Sequence, residues 1–393
     1  MIPGDLRQKP KGPSNRERTE CRIEASNRGP RRYALGNVVD RKHQSDELRQ
    51  EMAKLDQQLL AALDKRARAA RRLRELRKDN VPQISVADHA AIGSLVSRST
   101  GDMPPEALRN IFREVFGACL NLELEARVAY VGPEGGLAHD AAGGRFGHGA
   151  NLVGAETTAA ALELLGRSSA EFAVVPFESS TEGPVQSTIL ALLASDLRVV
   201  EMLDVSIQLH LLNVGGKTSA IERVCVAASD RRLCEHFVAA CAPRIAVEDV
   251  QTPRMACERA AQDATAAAVA NETLGAQLGL DVAQRNVSDQ SGARARYAVI
   301  GARPSGRTGA DVTLLLFTVA DAASSLVDVL RVFADRGIHL RNIRSHPVRA
   351  QPWGYVFCAE LDGHFTDRSL VSAFEEMKRL ARSFKILGSY PLV

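Results

Sequence analysis

Between Ser45 and Leu76 apolar residues return every three or four positions, at Leu48, Met52, Leu55, Leu59, Ala62, Leu63, Ala70, Leu73 and Leu76. That period marks an amphipathic α-helix. Ser45 stands where it can cap the first amides, Asp46 and Glu47 suit the positive end, and Asp79-Asn80-Val81-Pro82 stops the helix. At about 1.5 Å per residue such a helix runs roughly 50 Å, too long to bury its apolar stripe alone. It demands partner helices, and two follow, over 86–97 and 105–125, separated by Gly101-Asp102-Met103-Pro104. Residues 45–126 therefore read as an all-α module, expected to pair as a homodimer through its long helix.

The stretch before it differs in kind. Residues 1–44 carry 11 Lys and Arg against 5 Asp and Glu, whereas the remaining 349 residues carry 39 against 42. With almost no apolar periodicity, residues 1–44 read as a disordered basic tail. Basic charge confined to a tail, with only 5% aromatic residues, argues against a nucleic-acid-binding face. No run approaches the roughly 20 apolar residues of a membrane span, and residues 1–30 lack the apolar segment of a signal peptide. The expected location is cytoplasmic. The seven cysteines are scattered without a CxxC or Cys/His cluster, so they read as reduced thiols.

At Arg127 the period changes. Short apolar strands over 128–131, 172–176, 198–203, 207–212, 224–227, 266–269 and 297–300 alternate with helical stretches, as in a parallel or mixed α/β sheet. Residues 301–310, with Pro304, Gly306 and Gly309, read as a linker. Residues 311–393 run strand, helix, strand, strand, helix, strand, the βαββαβ order of a ferredoxin-like fold.

Two loops carry candidate chemistry. Gly132-Pro133-Glu134-Gly135 joins a strand to a helix and offers backbone N–H groups to an anion. Val174-Val175-Pro176-Phe177-Glu178-Ser179-Ser180-Thr181-Glu182-Gly183 concentrates two carboxylates and three hydroxyls at the end of a buried strand, the usual place for an α/β ligand site. These segments, with Ile207-Gln208-Leu209-His210-Leu211-Leu212 and Arg296-Tyr297, resemble the bifunctional chorismate mutase–prephenate dehydratase (P-protein) family over about 45–393. Its dehydratase domain carries GPEGTF, VPxENSTEG and TRF segments. The resemblance implies a chorismate-mutase-like helical domain over 45–126, a two-lobed dehydratase domain over 127–303 and an ACT regulatory domain over 311–393.

It also implies roles. Prephenate dehydration expels the ring hydroxyl together with CO₂, so a site must hold two carboxylates, donate to the leaving hydroxyl and exclude water. Glu178, Ser180, Thr181 and Arg296 are the expected catalytic residues, and Glu134, Gly135, Ser179, Glu182, Gly183 and His210 the expected substrate-binding ones. The family's Asn in ENSTEG is Ser179 here, its TRF threonine falls at Ala295, the Asn two places earlier at Ala293, and a Gln before cysteine at Leu233. Chorismate rearrangement needs only cations gripping two carboxylates and the ether oxygen. Arg49, Arg66 and Arg77 match the family's first-helix cations, while Ser85-Val86-Ala87-Asp88-His89-Ala90 lacks the second-helix Arg and Glu.

In the ACT-like segment the phenylalanine-binding positions read Ala323-Ser324-Ser325-Leu326 and Arg344-Ser345-His346-Pro347, which places an arginine where an effector's ammonium would lie. Weakened or lost phenylalanine feedback follows. The leading expectation is conversion of prephenate to phenylpyruvate, with chorismate mutase activity ahead of it. Two alternatives are a prephenate decarboxylase that does not aromatise its substrate, and a catalytically inactive ligand-binding paralogue. No metal or organic cofactor is implied, since neither reaction needs an electron sink.

Overall fold

The computed structural model describes residues 36–76, 87–124, 126–147, 149–320, 322, 324–347 and 354–392, with side chains placed except at 36–42, 87–90 and 124. The chain divides into two compact units, residues 1–62 and residues 63–393. Helix α1 (Gly36–Leu76) crosses that boundary. It begins nine residues before Ser45, so Ser45 does not cap it, a correction to the sequence reading. Gly36 is the last glycine or proline before Pro82, and nothing between them breaks helical backbone. The stop at 79–82 and most of the tail lie outside the described residues. Within the first unit Leu48, Met52, Leu55 and Leu59 are all more than half exposed, as the unpartnered stripe requires. Helices α2 (Ala87–Ser97) and α3 (Pro105–Leu124) follow and pack on each other.

The first α/β lobe is built from β1 (Arg127–Val131), α4 (Leu137–Phe146), β2 (Asn151–Ala155), α5 (Thr158–Gly166), β3 (Phe172–Ser179), β4 (Gly183–Pro184), α6 (Gln186–Ala194) and β5 (Arg198–Ser206). The chain then enters a second lobe of β6 (His210–Asn213), β7 (Arg223–Ala227), α7 (Ala228–Arg231), α8 (Glu235–Cys241), β8 (Ala246–Val250), α9 (Pro253–Gln262), β9 (Ala266–Ala270), α10 (Glu272–Gln277) and β10 (Asp281–Gln284). It returns to the first lobe as β11 (Arg294–Gly301). The first sheet has the order β2-β1-β3-β11-β5, with β4 beside β3; β1 is parallel to β2 and β3, and β11 antiparallel to β3 and β5. The second sheet has the order β10-β6-β9-β7-β8, parallel where β7 meets β8 and β9.

The last segment comprises β12 (Asp311–Thr318), α11 (Ser325–Ala334), β13 (Leu340–Pro347), β14 (Tyr355–Asp362), α12 (Arg368–Leu380) and β15 (Ser383–Pro391). Its sheet is antiparallel with the order β13-β14-β12-β15, the pairing that a βαββαβ chain makes. Period-two alternation on β12 sends Leu315 and Phe317 toward α11 and α12, and Val312, Leu314 and Leu316 toward the first lobe. There they share one core with Ala173, Val175, Ile189 and Leu192. The first lobe and the C-terminal segment are thus fused by common apolar burial. Residues 302–310 form no regular element but are held down: Ser305 is buried with its Oγ donating to the Ser389 carbonyl, and Arg307 pairs with Asp367 at 2.9 Å.

Candidate active site

The two lobes meet along a seam below the β3–β4 loop. On the first-lobe side the loop 178–183 turns back on itself, with Glu178 opposite Pro184 and Ser179 opposite Gly183, whose φ of 77° suits glycine. Ser179 Oγ and Thr181 Oγ1 share a hydrogen bond of 2.7 Å. Ser180 is tied to the start of β11, its N–H donating to the Arg294 carbonyl at 2.8 Å and its Oγ accepting from the Arg294 N–H at 2.9 Å. Glu182 reaches Arg232 of the second lobe at 3.5 Å. The loop 132–135 makes a second crossing. Glu134 pairs with Arg254 at 2.9 Å, and the Gly135 carbonyl accepts from Asn271 Nδ2 at 3.1 Å. A Cβ on Gly135 would run into the Leu274 side chain, so glycine permits the close approach.

Glu178 and Arg296 do come together, but not in this seam. Both face the C-terminal sheet. Arg296 donates from Nη1 to Glu360 Oε1 at 2.9 Å and from Nη2 to Glu360 Oε2 at 3.4 Å and Tyr390 Oη at 3.2 Å, while Glu178 pairs with Arg344 and lies 3.6 Å from Arg296. The cause is a β-bulge. Arg296 pairs with Glu178 but Tyr297 pairs with Pro176, which leaves Phe177 unpaired, and Phe177 and Glu178 then point to the same face. Simple alternation from the buried strand puts Glu178 on the opposite face. Both residues expected to clamp or protonate substrate are in this arrangement engaged by the C-terminal sheet.

His210 also lies apart from the loop. It is 3% exposed on β6, its Nδ1 accepts from the Asn286 N–H at 3.1 Å, and burial pushes its pKa down, opposed by Glu272 and reinforced by Arg285. Arg344 is turned to Glu178, Ser345 is exposed, His346 is buried, and the Pro347 carbonyl accepts from Gln186 Nε2 at 2.7 Å. Leu326 packs into the core between α11, α12 and their sheet, and Ala323 lies outside the described residues.

Of the helical module's arginines, Arg49 is exposed and pairs with Asp46 one turn earlier at 3.6 Å. Arg66 donates to the Val115 carbonyl at 3.3 Å and stacks 4.0 Å over the Phe116 ring, so it is oriented by α3. Arg77 and Ser85 lie outside the described residues.

The seam gathers the chain's departures from the family motif, together with one residue, Asp230, that the motif reading did not single out. Ala293, Ala295 and Tyr297 share one apolar cluster on the first lobe, and Leu233 of the second lobe packs against it. Asp230, 6% exposed in α7 just after β7, sits beside it. Burial, partly offset by the Ser229 hydroxyl at 3.1 Å and supported by Asp140, pushes its pKa up to about 6. A lone Asp after a strand carries no sequence signal; only its burial distinguishes it.

A helical module followed by a two-lobed α/β domain with a ligand-type loop at the lobe junction defines a multidomain enzyme architecture. Residues 48–124 match the type II chorismate mutase family model and residues 128–305 the prephenate dehydratase model. A bifunctional chorismate mutase/prephenate dehydratase of Aquifex aeolicus is 33% identical over 88% of this chain and 97% of its own length. Another from Neisseria gonorrhoeae is 28% identical, with 86% and 94% covered. The crystal structure of an Arthrobacter aurescens prephenate dehydratase in complex with L-Phe superposes with a TM-score of 0.58 at 26% identity, covering 68% of this chain and 90% of that one. The chain belongs to the bifunctional chorismate mutase/prephenate dehydratase family.

Proposed function

We propose that the chain converts prephenate to phenylpyruvate in its two-lobed domain, and chorismate to prephenate in its helical module. The observation that carries the reading is the placement of the 178–183 loop. It stands at the junction of two lobes that Glu182–Arg232 and Glu134–Arg254 draw together, where a small dicarboxylate would be shielded from water. Ser180, Thr181 and Ser179 are the loop hydroxyls available to it, and Gly135 and Gly183 provide the backbone turns. In the helical module Arg66 is the pre-oriented cation and Arg49 is available to a partner protomer, because a stripe as exposed as Leu48 to Leu59 calls for a second copy. The protein is accordingly a homodimer, and its C-terminal βαββαβ segment is an ACT-type domain. There the guanidinium of Arg344 disfavours an amino-acid effector's ammonium.

One observation favours a second reading. Ala293, Ala295 and Leu233, which stand where the family carries Asn, Thr and Gln, pack as a single apolar patch. A site without donors to the leaving hydroxyl would lose CO₂ while retaining the ring oxygen. Incubation of the full chain with prephenate separates the readings by mass spectrometry: phenylpyruvate supports the first, a non-aromatic decarboxylated acid the second, and unchanged prephenate an inactive binder. Arg66→Ala is expected to lower chorismate turnover by about 10²-fold or more while leaving prephenate turnover intact, since one positioned cation is worth that much in such chemistry. Equal loss of both activities would place Arg66 in stability rather than in the mutase site.

A further inference from the structure

The donors missing at 293, 295 and 233 have structural replacements within the same seam. Residues 295, 297 and 299 of β11 present their side chains to one face. The hydroxyl absent at Ala295 therefore reappears one pleat along at Tyr297, where the resembling segment reads TRF and this chain reads Ala-Arg-Tyr. Tyr297 is 7% exposed. Burial pushes the pKa of its hydroxyl up, and the carboxyls of Asp140 on α4 and Asp230 on α7 are near enough to add to that rise.

Asp230 is the second replacement. Its partner is Ser229 Oγ, and among the described residues no lysine or arginine lies in ion-pair range of it. A carboxyl buried without a cation keeps its proton well above the usual carboxylate range. Leu233, whose N–H donates to the Asp230 carbonyl at 2.9 Å, packs across the seam on the Ala295 cluster and so brings Asp230 to the first lobe.

We propose that Asp230 and Tyr297 are the proton-donating pair of this seam, Asp230 giving its proton to the departing ring hydroxyl of prephenate and Tyr297 hydrogen-bonding the same oxygen. The assignment rests on the dehydratase reading above. In the step, the bond from the ring to the carboxylate carbon breaks and its electron pair shifts through the diene to complete the aromatic ring. The ring C–O bond breaks with its pair on oxygen, the Asp230 proton joins that oxygen to release water, and CO₂ departs. Asp230 is left as carboxylate and regains a proton from solvent before the next turnover.

The groups facing Asp230 are Ser229 on its own element, Asp140 from α4, Tyr297 from β11, Cys234 at the start of α8 and Cys257 from α9. Burial, with Asp230 and neighbouring acidic side chains adding to it, pushes both thiols up to about 12, so neither titrates near neutrality. With Asp230 itself at about 6, an acid role requires activity to be full below that pH and to fall about tenfold per unit above it.

The test is kcat/KM for prephenate against pH in the full chain, with products identified by mass spectrometry and prephenate affinity by calorimetry. Asp230→Asn is expected to lose about 10²–10³-fold at pH 5 and to abolish the limb near pH 6, with Kd changed less than about threefold. Asp230→Glu restores part of the rate and the limb, which distinguishes an acid from a packing residue. Tyr297→Phe is expected to lose about 10–10²-fold with the limb retained. An Asp230→Asn enzyme with wild-type rates, or with the limb intact, overturns the assignment and leaves the dehydratase reading standing. A wild-type chain that forms no phenylpyruvate overturns both.

Discussion

Replacing Gly388 with alanine is expected to remove about 3 kcal/mol or more of stability, read as a large fall in Tm by calorimetry. Gly388 lies on β15 with φ of 146°, a conformation that side chains rarely adopt, and a Cβ there would penetrate the Val199 carbonyl oxygen of β5. That obstacle is backbone in the first lobe and cannot rotate aside. Relief would require β15 to back away from β5 and open the apolar layer that Leu387 and Tyr390 share with Val199 and Ile300. Gly306→Ala is the control: it meets nothing within 4 Å and has no positive φ, so its Tm should stay within a degree or two.

Glu360→Ala is expected to cost about 3 kcal/mol, because it leaves the Arg296 guanidinium only the looser carboxylates of Glu178 at 3.6 Å and Asp204 at 3.8 Å. The Glu360 side chain is 10% exposed and accepts from Arg296 and, at 3.2 Å, from the Tyr390 hydroxyl, whose pKa is raised by burial and by this same carboxylate. Arg296 is a quarter exposed, so water offsets part of the penalty, and the lower end of the usual range for a broken buried pair applies. The double variant Glu360→Leu with Arg296→Met should recover most of the loss, since an apolar pair leaves no unpaired charge. A denaturant cycle returning no coupling between positions 296 and 360 would contradict the pairing.

Much of this architecture was legible from period alone. The shift from three-four spacing to short apolar runs at Arg127 marks the helical module's end, and the elements of residues 311–393 follow the βαββαβ order read from the sequence. What escaped were edge strands and geometry. Asn151–Ala155 and Ala246–Val250 are edge strands with a single buried residue each, and Asp281–Gln284 is another edge, so none carries the apolar run that betrays a central strand. The Phe177–Glu178 bulge inverts which face the motif's first carboxylate takes, and no residue type announces it. The loop hydroxyls at 179–181 were found because they are clustered in sequence. Asp230 was not, because a lone Asp sixty-seven positions before Tyr297 carries no local signal and only the fold brings it to the lobe junction.

The second lobe is inserted between β5 and β11, and its entry and exit touch, the Ile207 N–H donating to the Ala293 carbonyl at 2.8 Å. That arrangement sets an order of assembly on the ribosome. The inserted lobe is contiguous in sequence and can close as soon as β10 emerges. The first lobe begins earlier yet must wait for β11, the strand that joins β3 to β5. Its apolar face is fully covered only once β12, β14 and β15 have all been added, so nascent chains truncated before β15 are the ones that chaperones would be called upon to hold.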